Sequence, residues 1–440
     1  MKKTKFLLGV VFFIVSICLA AQEQADEQID EKTFSISAQI RPRTEYRNGA
    51  FFPRSEETLP AAFVNNRARL SMDFKRNNLQ MKMSTQHLNI WGEDSQTNRN
   101  GRVSLNEAWA KMFFSKEFYL QLGRQPLIYD DERLLGAVDW NIAGRFHDVL
   151  KFGYENPLNK IHLLLAYNQS EERQNGGNYF AGSQTGIYKN MQTLWYNFGG
   201  SGKPFSISLT AMNLGWEVGV RDTAKTAYMQ TFGTYITLKP VDFMDFALSA
   251  YCQTGKNNNN KDVLAYLMSF KMNFKFTPKF SAFLAHDWVS GQKIENNNVT
   301  DKVTAFVSSF GTNHRFYGAM DYFYSSAYLT SIPGLNDSQL GISYKASNKV
   351  DMSLNYHYFS THLDKVFNTQ VIDIKKYIGS EFDFQLNWTI MKDVRLMGGY
   401  SFMLGTKTMD ILKGGDHKLW QDWGWITLNI NPQLFVSKWR

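Results

Sequence analysis

Apolar and polar residues alternate one by one along several long stretches of this chain. In FSISAQIRPRTEYRN, which begins at Phe34, the apolar phase carries Phe34, Ile36, Ala38 and Ile40, and the polar phase ends in Arg41, Arg43, Glu45 and Arg47. The same pattern recurs in LAYLMSFKMNFKFTP from Leu264 and in SEFDFQLNWTIM from Ser380. Successive side chains of an extended chain point to opposite faces, and helical spacing fits none of these stretches. The pattern therefore predicts β-strands with one apolar and one polar face.

Short turns and long polar loops separate these stretches in alternation. Turns of a few residues occur near Arg76, Ser115, Asn156, Gly199, Lys239, Thr277, Ala346 and Met391, and long loops cover residues 91–102, 170–189, 254–261, 290–301, 361–376 and 405–422. Tight turns at one end and long loops at the other are typical of transmembrane barrels. The sequence therefore predicts an all-β fold, a transmembrane antiparallel β-barrel of about 18 strands, with about 20 as the alternative.

The alternative count depends on residues 290–337. VTAFVSSF and HRFYGAMDYFYSS in this range fit two wall strands, but they also fit one long loop folded over or into the pore. A soluble β-sandwich would alternate as well, and a β-repeat protein would show an internal repeat, which this sequence lacks. Apolar faces rich in Phe, Tyr, Met and Trp suit a lipid boundary and favour the barrel.

The ends of the chain indicate the compartment. Lys2, Lys3 and Lys5 precede the apolar run FLLGVVFFIVSICLA, so residues 1–20 are predicted to be a signal peptide. The acidic residues 21–32 are predicted to be disordered, residues 33–435 to form the barrel, and residues 436–440 to be a C-terminal tail. The predicted location is the outer membrane of a Gram-negative bacterium. The mature chain keeps only Cys252, which excludes an intrachain disulfide.

The positions of the basic residues along the first strands indicate the charge of the lumen. The 48 basic side chains outnumber the 40 acidic ones by eight, and removal of three signal lysines leaves an excess of five. Basic residues cluster on the polar phase of the first strands, namely Arg41, Arg43, Arg47, Arg67, Arg69 and Lys82. Lys111 and Arg124 are also assigned to the lumen, although both stand in phase with apolar neighbours. Lys111 shares its face with Leu105 and Trp109, and Arg124 faces the lumen only if its strand ends near Gly123. Rings of Arg and Lys favour anions, and Arg binds carboxylates through two hydrogen bonds.

Three carboxylates lie among these basic residues. Glu45, Asp73 and Glu107 either brace the wall through ion pairs or leave the surplus of arginine to face solutes. Both interpretations are compatible with a net positive stretch of wall.

The densest motif is LGRQPLIYDDERLLGAVDWNIAGRFHDVLKFGY, which begins at Leu122. Its Gly123, Arg124, Gln125, Tyr129, Asp130, Arg133, Leu134, Gly136, Trp140, Gly144, Arg145, Phe146 and Asp148 resemble the alginate export family of outer-membrane barrels, in its Bacteroidetes-like branch. GTNHRFYGAMDYFY from Gly311 and the LNEAWAKM strand are also similar to that family.

This resemblance implies a monomeric 18-stranded barrel with an electropositive constriction that passes a polyuronate. It also implies that the loop from Tyr129 to Gly144 dips into the lumen. Asp130, Arg133 and Arg145 would then line or brace the constriction, with Tyr129 beside them. A loop that Arg–Asp pairs merely anchor to the wall is the alternative.

The predicted function is passive transport of anionic solutes, specifically an acidic, uronate-type polysaccharide or oligosaccharide, by an outer-membrane channel. Its predicted partners are that solute, membrane lipid and the barrel-assembly machinery, without nucleic acid. The alternatives are a general porin with mild anion preference and a barrel whose loops act as an adhesin or scaffold. The eight histidines are scattered without H-E-x-x-H or Cys/His spacing, so no enzyme, metal or cofactor is predicted.

Overall fold

A computed structural model describes residues 31–97, 102–172, 174–175, 177–200, 202–221, 223–296, 298–323, 334–368 and 370–440. The predicted signal peptide and nearly all of the predicted disordered segment lie outside these residues. Within them, no helix is long and apolar enough to cross a membrane. The described helical elements are the helix Lys407–Lys413 and two 3₁₀ turns, Ala181–Thr185 and Asn313–Arg315.

Nineteen strands form one antiparallel sheet. They are β1 (Lys32–Asn48), β2 (Ala61–Arg76), β3 (Leu79–Ile90), β4 (Val103–Phe113), β5 (Phe118–Gln125), β6 (His147–Glu155), β7 (Asn159–Tyr167), β8 (Asn190–Phe198), β9 (Phe205–Val218), β10 (Lys225–Val241), β11 (Met244–Lys256), β12 (Asp262–Lys275), β13 (Phe280–Val289), β16 (Leu335–Lys345), β17 (Val350–Ser360), β20 (Tyr377–Met391), β21 (Val394–Gly405), β22 (Gln421–Ile430) and β23 (Gln433–Trp439). Two small hairpins lie apart from this sheet: β14 (Ile294–Glu295) with β15 (Asn298–Val299), and β18 (Lys365–Asn368) with β19 (Gln370–Asp373).

The sheet closes into a barrel because β1 pairs with β2 on one side and with β22 and β23 on the other. β22 and β23 run along the same partner and are separated only at Asn431 and Pro432, so they count as one interrupted strand. The barrel therefore has 18 strands, as predicted. The structure corrects the prediction that residues 436–440 form a tail outside the barrel. β23 continues the wall pairing to Trp439, which lies opposite Lys32 of β1.

The two faces of the wall match the predicted alternation. On β1, Ile40 is 52% exposed on the outer surface, whereas Arg41 on the inner surface is 8% exposed. Large apolar side chains such as Leu194 and Phe232 are likewise exposed outward. In a closed barrel, the backbone N–H and C=O groups of every strand are hydrogen-bonded to neighbouring strands, as the lipid environment requires. The apolar outer side chains contact lipid in place of water.

Two long loops fold into the barrel. We name them the first inserted loop (residues 126–146) and the second inserted loop (residues 290–323). Phe306, Tyr317 and Tyr322 of the second inserted loop are at most 1% exposed, which places this loop inside the wall. Within residues 298–323 the structure has no strand in the wall sheet, which confirms the loop interpretation for these residues. Residues 324–333 of the predicted region lie outside the described residues. The barrel has 18 strands, so the alternative of 20 is wrong.

Four inward-facing glycines lie under aromatic rings of the neighbouring strand. The direct cross-strand pairs are Tyr119 with Gly153, Gly233 with Tyr251, Phe283 with Gly341, and Gly399 with Trp425. A Cβ on each glycine would lie 2.0–2.4 Å from the ring. We call these pairs the glycine–aromatic joints. Each ring fills the space that the missing side chain leaves, which stabilises the pairing of strands that glycine alone would weaken.

Replacing Gly233 by alanine is expected to destabilise the barrel by about 1–3 kcal/mol, because the new methyl group overpacks the site. Its Cβ would lie 2.0 Å from Cδ1 of Tyr251. The measurement is the temperature at which the folded barrel loses its faster electrophoretic migration. The control is Gly424→Ala, whose Cβ has its nearest atom at 3.7 Å. Equal melting of the two variants would contradict the role of the joint.

Candidate functional site

The first inserted loop is held across the lumen by predicted arginines of β1 and β2. Arg41 Nη1 donates to the backbone oxygen of Asp139 at 2.8 Å and to its Oδ2 at 3.1 Å. Arg67 Nη1 donates to Asp139 Oδ1 at 2.8 Å, and Arg43 Nη1 donates to the backbone oxygen of Trp140 at 2.6 Å. These arginines lie inside the barrel as predicted, but many of their donors bind the loop. The side chain of Asp139 is 64% exposed inside the lumen, so its desolvation is only partial. Desolvation raises the pKa of Asp139, but the charges of Arg67 and Arg41 hold this pKa below its usual value.

Trp140 lies in the middle of an aromatic cluster that seats this loop. The guanidinium of Arg43 lies 4.1 Å from the centre of its ring, and the ring of His314 stacks at 4.4 Å. Trp425 and Trp423 meet Trp140 edge to face at 4.8 and 5.5 Å. The faces of Trp140 are covered, so this side chain fixes the loop to β22 and to the second inserted loop.

Arg133 connects both inserted loops to the wall. Its Nη2 donates to Asp287 Oδ1 at 2.9 Å on β13 and to Ser269 Oγ at 2.8 Å on β12. Its Nη1 donates to the hydroxyl of Tyr317 at 3.0 Å, and its Nε to Asp131 Oδ2 at 3.0 Å. Arg133 is 6% exposed. This geometry favours the bracing role for Arg133.

Tyr129 and Asp130 attach the start of the first inserted loop. The hydroxyl of Tyr129 is hydrogen-bonded to Nδ1 of His162 at 3.0 Å, and Trp195 Nε1 donates to Asp130 Oδ1 at 3.1 Å. Burial raises the pKa of Asp130 to about 6. Both residues contact wall strands β7 and β8, which agrees with the predicted bracing position.

Arg145 and Glu132 join the two inserted loops to each other. Arg145 Nη1 donates to the backbone oxygen of Gly311 at 3.0 Å, and Thr312 Oγ1 donates to Glu132 Oε2 at 2.8 Å. Burial lowers the pKa of Arg145 to about 10. The two loops therefore form one interlocked constriction.

Other predicted residues are paired with wall partners. Glu45 is 1% exposed and accepts from Arg43 Nε at 2.8 Å and from Arg47 Nη2 at 2.8 Å. Arg69 donates through Nη2 to Gln86 Oε1 at 2.6 Å. The bracing interpretation of Glu45 is thus the one that the geometry favours.

The prediction that Arg124 faces the lumen is wrong. β5 continues to Gln125, so Arg124 keeps the outward phase of Leu122. It binds Asp148 on β6 through both Nε and Nη2, each at 2.9 Å. The structure therefore places Arg124 on the outer surface of the wall and not in the lumen.

Lys111 faces the lumen because β4 contains an irregularity. The register between β3 and β4 shifts at Asn106, which places Leu105 and Lys111 on opposite faces although their numbers share a phase. The Nζ atom of Lys111 lies 3.5 Å from the ring centre of Tyr119.

Lys82 and Glu107 form an ion pair of 3.1 Å on the inner wall. Asp73 lies opposite Lys82 in the register of β2 and β3, three residues before Arg76 at a short turn. Among the described residues, no hydrogen bond or ion pair joins Asp73 to either inserted loop. The structure therefore does not support a bracing role for Asp73 at the constriction.

Among the described residues, several basic side chains remain available to a solute, and four of them lie near the inserted loops or on the wall facing them. Lys111 and Lys151 flank Gln121 across three strands, and Lys271 lies with its Nζ 3.8 Å above the ring of Phe283. None of these lysines forms an ion pair within 4.0 Å in the described part of the chain. The side chain of Arg315 is 60% exposed, and one of its nitrogens pairs with Glu132 at 3.1 Å. Lys151, Lys271 and Arg315 were not among the predicted site residues.

Two cavities adjoin the second inserted loop. One has a volume of about 350 Å³ and is lined by basic side chains, by hydroxyl and amide side chains, and by two carboxylates, Asp131 and Asp245. The basic side chains are Lys271, Arg315, Arg133 and His357. The other, of about 430 Å³, is lined by Arg41, Asp383 and the tryptophan cluster. Arg315 and Phe316 line both, so this stretch of the loop forms the partition between them.

Buried carboxylates line the wall behind this partition. Asp287 and Asp337 are direct cross-strand neighbours on β13 and β16, and each is 0% exposed. Glu381 and Asp383 follow on β20, at 0% and 8%. His357 on β17 lies between them, with Nδ1 2.9 Å from Asp337 and Nε2 3.5 Å from Asp383. The basic side of the lumen therefore has an acidic counterpart on other strands.

In the part of the chain that the structure describes, one group of side chains could hold a metal ion. Asp410, Asp416 and His417, in the long loop after β21, bring three ligand atoms within 4.8 Å of one another. His417 Nδ1 is hydrogen-bonded to Asp410 Oδ2 at 2.6 Å, so an ion would have to displace this contact.

Closed barrel, apolar exterior and a polar lumen narrowed by two inserted loops define the class: an outer-membrane β-barrel of the porin kind. No family model matches the chain, and no curated protein matches it. Solved porin structures do. OccK2 (OpdF) of Pseudomonas aeruginosa in complex with glucuronate matches with a TM-score of 0.61 and 12% identity, covering 91% of this chain and 97% of that one.

Two further structures are similar over the same extent. OpdK of Pseudomonas aeruginosa with vanillate has a TM-score of 0.57 and 10% identity, over 92% of this chain and 99% of that one. OccAB1 of Acinetobacter baumannii has a TM-score of 0.60 and 11% identity, over 92% and 97%. These are Occ/OprD porins and not alginate export proteins, so the similarity supports a porin barrel and gives no support to the family expected from the motif after Leu122.

Proposed function

We propose that this protein is a passive outer-membrane channel for anionic solutes. The observation that carries the proposal is the set of inward-facing cations without full partners, namely Lys111, Lys151, Lys271 and Arg315. A porin lumen is filled with water, and cations on its wall lower the energy of an anion in transit. Their spacing over several strands gives many weak contacts, which lets a solute move on.

The finer proposal is an acidic sugar, as an oligosaccharide or polysaccharide of the uronate type. The 350 Å³ cavity holds Lys271 and Arg315 beside hydroxyl and amide side chains, which offers a sugar carboxylate a cation and sugar hydroxyls hydrogen bonds. Two carboxylates also line this cavity: Asp131, which is paired with Arg133, and Asp245. Two similar porins were solved with carboxylates, glucuronate and vanillate, which supports the anionic class. A general porin with mild anion preference is the second candidate, favoured by the narrow constriction that both loops form.

The test is the reversal potential of the purified protein in a planar bilayer under a potassium chloride gradient. We expect anion selectivity, and then block of the current by a uronate oligosaccharide but not by a neutral one of equal length. Block by glucuronate alone, without block by the oligomer, would favour the general porin. A cation-selective or closed channel would contradict the proposal and favour a role of the loops as adhesin or scaffold.

A further inference from the structure

Two carboxyl groups carry the end of the second inserted loop. Met320 N donates to Glu381 Oε1 at 2.8 Å, and Ala319 N donates to Asp383 Oδ2 at 3.3 Å. The backbone of Gly318 lies directly on Glu381, since a Cβ there would be 2.5 Å from Oε2. This loop segment is thus seated on the inner face of β20.

The remaining oxygens of this pair have no donor. Glu381 Oε2 and Asp383 Oδ1 are buried without a hydrogen-bond partner in the described residues. The two side chains lie two residues apart on one face of β20 and within hydrogen-bonding reach of each other. Two carboxylates in such contact cannot both ionise cheaply, whereas one proton between them gives each free oxygen a partner.

The surrounding charges decide which carboxyl keeps the proton. Both ring nitrogens of His357 face carboxylates, Asp337 and Asp383, so both act as donors and the ring is a cation. This cation stabilises the charge on Asp383. Asp337 already engages His357 through its other nitrogen.

Among the described residues, no basic side chain forms an ion pair with Glu381. From the second inserted loop, Asp321 is paired with His314 at 2.8 Å and adds negative charge near Glu381. Asp422 of β22 adds a second negative charge near Tyr322, which also lies close to Glu381. Arg41 and Arg315 line the cavity that Asp383 faces. The proton therefore resides on Glu381.

We propose that Glu381 carries a proton that it donates to Asp383, and that this hydrogen-bonded pair is a latch that holds the second inserted loop against the wall. Loss of the proton leaves two negative charges buried next to each other. The carboxylate of Glu381 can be hydrated only if Gly318, Ala319 and Met320 move away from it. Because Arg315 and Phe316 form the partition between the two cavities, release of this segment opens the lumen. The latch concerns the position of the loop and does not depend on which solute passes.

The first test is hydrogen exchange of the Ala319 and Met320 amides between about pH 5 and about pH 9, a range that covers the raised pKa values of buried carboxyls. After correction for the intrinsic pH dependence of exchange, we expect protection at low pH and its loss in one step as pH rises. Glu381→Gln keeps an acceptor for Met320 and gains a donor to Asp383, so its protection should not change with pH. The matched control is Glu107→Gln, an inner-wall carboxylate away from the loop, which should behave as the wild type.

The second test is single-channel conductance over the same pH range. Conductance should rise with the loss of protection in the wild type and stay at its low-pH value in Glu381→Gln. Constant protection in the wild type, or an unchanged pH response in Glu381→Gln, would overturn the latch. A response to calcium chloride at constant pH, abolished in Glu381→Gln, would assign the pair to a metal ion and would also overturn it. A non-conducting protein that still shows the exchange step would contradict the channel and not the latch.

Discussion

Replacing Arg133 by methionine is expected to release both inserted loops from the wall. The substitution keeps an unbranched stem but removes the guanidinium group and with it the donors to Asp287, Ser269 and Tyr317. Removal of one partner from a buried ion pair costs about 3–5 kcal/mol, because the other charge stays buried without compensation. A loss of that size shifts the balance between docked and released loops by about a hundredfold or more.

Two readouts check this expectation. Single-channel conductance should rise, and a protease added from the loop side should cut within residues 126–146. The matched control is Arg124→Met, which removes a paired arginine of similar chemistry from the outer surface. If Arg133→Met folds and conducts like the control, the interlocked constriction does not depend on Arg133 and our account of its assembly is wrong.

Reversing the charge of Lys271 and Arg315 together is expected to abolish or invert anion selectivity. A unit charge about 4 Å from a passing ion contributes about 1 kcal/mol even at the dielectric constant of water. Turning two cations into two carboxylates therefore changes the relative permeability of anions and cations by about tenfold or more. The measurement is the reversal potential of Lys271→Glu/Arg315→Glu under a salt gradient.

The control for this pair is Arg41→Gln, which weakens a loop anchor without adding negative charge. The control should change conductance more than selectivity, because Arg41 binds Asp139 of the first inserted loop. If Arg41→Gln loses selectivity and the double variant keeps it, the solute path follows the arginines of β1 and β2, as the sequence alone suggested.

The alternation of residue types was sufficient to predict the wall. It sorted Ile40 from Arg41 correctly and gave 18 strands, because lipid outside and water inside impose opposite demands on successive side chains. Alternation alone did not reveal the shift at Asn106, which separates Leu105 from Lys111 and leaves Lys111 facing the lumen as assigned. It also did not reveal that the pairing of β23 continues past Phe435.

The site was predicted only in part. The inward arginines of β1 and β2 were found, but alternation does not reveal that Asp139 and Trp140 would occupy them. That information lies in contacts about a hundred residues apart in sequence. Lys271 could have been chosen, since it stands on the polar phase of LAYLMSFKMNFKFTP. Arg315 could not, because a loop has no period from which to read its direction.

The glycine–aromatic joints have a consequence for assembly. A strand that slips by one residue exposes its polar face to lipid, but a slip of two residues keeps the alternation intact and escapes that penalty. With such a slip, Tyr251 would meet Thr231 or Tyr235 in place of Gly233, and Phe283 would meet Gln339 or Ser343 in place of Gly341. Only glycine leaves room beneath the ring. Four such joints distributed around the wall therefore disfavour slips of two residues while the barrel closes. Hydrophobicity does not disfavour these slips, because they keep every apolar side chain on the lipid side.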